Sequence, residues 1–133
     1  MATANARLVL GTALLALFSA SAAAGKDVFR CVIKETRHVS DDGRLIVYPK
    51  DIYAGDAVMV DTLSGLVTMW SNRYQFRIVQ TGTSENGWIL SREMVGPAGT
   101  SVLTIAVKVF QAGTPFIMTD LGAVHSGQCA VIR

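Results

Sequence analysis

Ser101-Val102-Leu103-Thr104-Ile105-Ala106-Val107-Lys108-Val109-Phe110 is the stretch that decides the fold. Leu103, Ile105, Val107 and Val109 recur at every second position. Val102, Thr104, Ala106, Lys108 and Phe110 take the alternate ones. Side chains change face at every residue of a strand but return only every 3.6 residues on a helix. Apolar positions at i, i+2, i+4 and i+6 therefore define one buried face of a strand. The β-branched residues of the run fit the same geometry.

Moving outward, the same texture repeats in both directions. Apolar runs at 28–34, 44–48, 57–61, 66–70, 74–80, 88–92, 115–119 and 123–132 read as strands. Between them stand turn residues: Asp41-Asp42-Gly43, Asp61-Thr62-Leu63-Ser64-Gly65, Ser71-Asn72-Arg73, Asn86-Gly87 and Gly96-Pro97-Ala98-Gly99. Within 74–80, Tyr74, Phe76 and Ile78 share one face, with Gln75 and Arg77 on the other. Short strands punctuated at this spacing, with no helical periodicity among them, predict an all-β domain. The expected architecture is a single antiparallel β-barrel or sandwich of about eight strands.

Residues 1–24 do not share this pattern. Arg7 precedes an apolar run at 8–18, and Ser19-Ala20-Ser21-Ala22-Ala23-Ala24 follows it. A charged start, a short apolar stretch and a small-residue exit describe a secretory signal peptide. Small residues at Ala22 and Ala24 fit cleavage before Gly25, and Ala20 with Ala22 fits cleavage before Ala23. The run is about half the roughly 20 residues a membrane-spanning helix needs. The expected domain is thus 25–133, periplasmic or secreted, with no stable membrane span after cleavage.

Cys31 and Cys129 are the two cysteines, one near each end of that domain. In an exported chain such a pair is expected to form a disulfide. It would join the terminal strands and close a loop of 98 residues. Loop closure of that length limits the unfolded chain by up to about 4.7 kcal/mol in the chain-entropy view. The Cys-x-x-Cys spacing of a redox pair is absent.

Without Arg7 the chain carries eleven basic residues against ten acidic ones. Nucleic-acid binding relies on clustered Lys and Arg, and no cluster occurs, so nucleic acid is not an expected partner. His38 and His125 are too few for a zinc shell, and no metal or cofactor is expected. Ser126 follows His125, but neighbours on a strand face opposite ways, and there is no Gly-x-Ser-x-Gly elbow. The acidic residues fall at turns, which suits backbone bonding better than a facing catalytic pair. No phosphate-binding glycine loop is present. The reading is non-catalytic.

The aromatic set Trp70, Tyr74, Phe76 and Trp88 stands out. Core is the commoner fate of such residues. Turned outward, Trp70, Tyr74 and Trp88 would be candidate binding residues, since Trp and Tyr are enriched at contact surfaces.

The frame Phe29-Arg30-Cys31 and Ser126-Gly127-Gln128-Cys129, with the turn Val60-Asp61-Thr62-Leu63-Ser64-Gly65, resembles small exported bacterial β proteins. That resemblance implies export and a β fold, and no activity. Ser64-Gly65 and Ser126-Gly127 are similar to the Ser-Gly loops of bacterial periplasmic lysozyme inhibitors, which are small disulfide-bearing β-barrels. The similarity implies loop insertion into an enzyme cleft, and it makes Ser64 and Ser126 candidate binding residues. The longer motifs of that family are missing here. The expected function is an exported cell-envelope binding module for a protein or envelope polymer. The alternatives are a lipocalin-like carrier of a small apolar ligand and a lysozyme-type inhibitor.

Overall fold

The computed structural model describes residues 27–48, 52–120 and 122–132. The expected signal segment lies outside them. Ten strands follow one another: β1 (Val28–Val39), β2 (Leu45–Val47), β3 (Ala57–Asp61), β4 (Leu66–Met69), β5 (Asn72–Gln75), β6 (Arg77–Gln80), β7 (Trp88–Gly96), β8 (Gly99–Val107), β9 (Pro115–Asp120) and β10 (Ala123–Val131). All pairings are antiparallel. Nine strands form one hydrogen-bonded path, β5-β4-β3-β1-β10-β9-β8-β7-β6, and β2 pairs with β1 beside it.

The two ends of that path adjoin in sequence. Phe76 alone separates β5 from β6, so one chain segment pairs with β4 by its first half and with β7 by its second. The sheet thereby curls into a nearly closed, up-and-down barrel, which leaves few edges exposed. Arg92 on β7 bridges the seam. It lies 5.1 Å from the Tyr74 ring centre and donates Nη1–H to the Gln75 carbonyl at 3.3 Å.

The strand expected at 101–110 is β8, which begins at Gly99 and ends at Val107, so that 108–110 lie in the following turn. Leu103, Ile105 and Val107 are buried and Val102 is exposed, as the period of two requires. The inward faces of the other strands add Phe29, Cys31, Ile33, Val58, Val60, Val67, Met69, Leu90, Phe116 and Met118 to one core. A barrel of this size has an interior just wide enough for its own side chains. Cys31 stands directly opposite Cys129 in the β1–β10 register, and the two form the disulfide.

Two departures from the sequence expectation bear on the site. The run at 74–80 is divided at Phe76, because its halves serve different neighbours. The first strand continues five residues past Lys34, to Val39. Its register against β10 shifts between Ile33 and Glu35, and a bulge of one extra residue reverses the alternation. Phe29, Cys31 and Ile33 are buried before it, Thr36 after it. A strict period of two cannot be followed across that break.

Candidate functional site

The strand directions give the barrel two ends, named here by the ends of β1. The Val28 end carries the 61–65, 81–87 and 108–114 connections. The Val39 end carries the β1–β2 arm, the Trp70-Ser71 turn and the β7–β8 hairpin.

At the Val39 end the shifted register brings Thr36 opposite His125. Both are fully buried. Thr36 Oγ1 and His125 Nδ1 share a hydrogen bond of 2.8 Å, so the buried ring nitrogen is partnered. Tyr53 meets His125 edge-on at 5.2 Å between ring centres, Trp70 meets it at 5.7 Å, and Tyr53 and Trp70 are 5.5 Å apart. Three rings thus pack against one another within the distances at which aromatic pairs attract. Trp70 donates its indole N–H to Asp56 Oδ2 at 3.1 Å, and Asp56 is tied to β1 because its carbonyl accepts from Ile33 N–H at 2.9 Å.

The β4–β5 turn that presents Trp70 is strained. Trp70 has φ 49° and Ser71 has φ 63°, values that cost L-residues about 1–2 kcal/mol each. A two-residue hairpin turn favours such angles because they match the strand twist, and Asn-Gly is the usual choice. Here the indole bond to Asp56 and the ring contacts hold the tryptophan in place. Backbone strain of this kind gathers at functional sites.

Beside the rings, β1 and β2 form an arm. Its turn is closed by Gly43 at φ 81° and by Ser40 N–H donating to the Arg44 carbonyl at 2.8 Å. The Asp42 carboxylate accepts from the Ser40 hydroxyl and the Arg44 guanidinium, and these bonds hold its pKa below the usual carboxylate value. His38 and Tyr48 stack at 4.4 Å between ring centres, and the buried His38 Nδ1 has no partner among the described residues. On β2 itself Leu45, Ile46 and Val47 are 53%, 43% and 44% exposed. Among the described residues β2 pairs with β1 alone, which leaves its other edge open. Val39 and Ile52 on the flanks are also exposed.

The candidate residues of the sequence reading do not gather in one place. Trp70 belongs to the Val39 end. Tyr74 is half-buried at the seam under Arg92. Trp88 is a core residue at 2% exposure, packed beneath Gly82, and its indole N–H has no partner among the described residues. Ser64 lies at the Val28 end and serves its own turn. Its hydroxyl accepts from Leu66 N–H at 3.2 Å, and its carbonyl accepts from Gln75 Nε2 at 2.6 Å. Ser126 is on the barrel wall within β10, paired with Glu35 on one side and Ile117 on the other.

Tyr53, Asp56, Thr36 and the β2 run were not singled out from the sequence. The one local signal was three consecutive apolar residues after Asp41-Asp42-Gly43, and a strand reading absorbs it. Among the described residues no group of three or more His, Cys, Asp or Glu side chains is placed to hold a metal ion. None of their helices is long and apolar enough to cross a membrane. Comparison with protein-family models, with curated proteins and with solved structures found no match for this chain.

Proposed function

We propose that this chain is a non-catalytic binding module exported to the cell envelope or beyond, and that it engages a protein partner through the Val39 end. The observation that carries the reading is the run Leu45-Ile46-Val47, exposed at all three positions on a strand whose second edge is unpaired among the described residues. Exposed apolar strand edges invite pairing with another chain, and folded proteins commonly blunt or cover them. A partner strand added there would gain main-chain bonds, with apolar side chains supplying specificity. The strained Trp70-Ser71 turn and its ring cluster lie on the same end.

The Cys31–Cys129 bond supports an oxidising compartment. A carrier reading needs interior room, and here Phe29, Trp88, Leu90, Ile105, Phe116 and Met118 occupy the interior. The inhibitor reading needs a projecting Ser-Gly loop. Ser126-Gly127 instead lies inside a strand paired on both edges, and the Ser64 hydroxyl is engaged by its turn.

The test is affinity capture from the native envelope with the disulfide-bonded protein and with Ile46→Lys. The expected result is a specific protein retained by the first and lost with the second, at equal thermal stability. Identical retained sets would overturn the reading.

A further inference from the structure

A second surface, on the barrel wall and away from the Val39 end, carries its own chemistry. The bulge in β1 adds Lys34 between residues paired to Gly127 and Ser126 of β10. Gly127 has no room for a side chain. A Cβ there would lie 1.9 Å from the Val32 carbonyl oxygen and 2.9 Å from the Phe116 ring. Beside the bulge the wall has a hollow of about 440 Å³, whose lining includes Ile117, exposed on the outer face of β9. Its lining also includes two lysines, Lys34 and Lys108, and the polar residues Ser126 and Gln128.

Among the described residues neither lysine is neutralised by an acidic side chain. Lys34 Nζ donates to Gln128 Oε1, and the Gln128 amide packs against Gly113, where a Cβ would sit 2.5 Å from Nε2. No carboxylate lines the hollow. The nearest acid in sequence, Glu35, is taken by Arg37 at 2.6 Å. The result is unneutralised positive charge beside the exposed Ile117, in a volume typical of small-ligand sites.

We infer that the Lys34–Lys108–Ser126 hollow binds a small organic anion, with a carboxylate or phosphate headgroup at the lysines and an apolar body against Ile117. The two ammonium groups and the Ser126 hydroxyl supply donors for the headgroup, and charge-assisted bonds of this kind are the strong ones.

Titration of the isotope-labelled protein with hexanoate, hexyl phosphate and hexanol, read on amide resonances, tests this. Both anions, or one of them, should shift Lys34, Ser126, Gly127 and Gln128, and hexanol should not. The headgroup that binds more tightly identifies the source. Lys34→Met and Lys108→Met should each weaken binding about tenfold, equal to about 1.4 kcal/mol, while Arg73→Met on β5 leaves it unchanged. Added salt should weaken it further. Equal binding of hexanol, shifts spread over other surfaces, no binding at about 10 mM, or equal losses in all three variants would overturn the inference.

Discussion

On the Val28 side of the β1–β10 pair, Phe29, Cys31 and Ile33 face inward, and Cys31 is bonded to Cys129. On the Val39 side, five residues further along β1 from Cys31, Thr36 faces inward and is hydrogen-bonded to His125. Residues five apart on a regular strand face opposite ways. The inserted Lys34 makes them face the same way, and it changes what the pair can do. Before the bulge the pair is an apolar wall with a covalent lock. After it, the pair becomes a polar and aromatic end whose rings reach half-buried positions. The lesson is that one extra residue lets a single strand pair serve both the core and a surface.

Three perturbations would break or sharpen this contrast. The largest effect belongs to the lock. Replacing both cysteines by alanine should lower stability by up to about 4.7 kcal/mol. That corresponds to a fall in the unfolding midpoint on the order of 20 °C or more for a domain this size. Calorimetry of oxidised and alanine forms measures it, and a change near zero would remove the difference in kind between the two sides.

The boundary itself comes next. Gly127→Ala places a methyl group against the backbone of Val32, which a side-chain rotation cannot relieve. Overpacking of this kind should cost about 3 kcal/mol. Gly96→Ala is the control, since its nearest atom would be 4.0 Å away. Equal denaturant midpoints for the two variants would mean that the bulge tolerates a side chain opposite it.

The smallest effect is on the polar side. Thr36→Val keeps the shape but removes the hydroxyl bonded to His125, and it should cost about 1–3 kcal/mol. His125→Leu should cost a similar amount. If the two groups stabilise each other, the double variant should be less damaged than the sum of the singles, a coupling read by a double-mutant cycle of urea unfolding. Strict additivity would show that the shared bond does not hold this end together.

Much of the fold was legible because its causes are local. The alternation in 101–107 and the turn at 61–65 each sit within a few residues of sequence, and the structure repeats them in β8 and the β3–β4 turn. The candidate site was far less legible. Trp70 and Trp88 look alike in sequence, yet one caps a strained turn and the other is sealed in the core. The turn after β4 was expected at Ser71-Asn72-Arg73. It falls at Trp70-Ser71, where Asp56, fourteen residues earlier, accepts the indole N–H.

The sequence by itself determined the strand-rich class, which residues of a regular strand share a face, most turns and the cysteine pair available for bonding. These follow from side-chain alternation and backbone preference, which act between near neighbours. Tertiary structure alone decided the bulge at Lys34, the burial of His125 against Thr36, the open edge of β2 and the hollow over Gly127. Each depends on what stands across a strand pair, and for Thr36 and His125 the partners are 89 residues apart. Cross-strand register is set by the closure of the whole barrel, so no short stretch of the chain contains it.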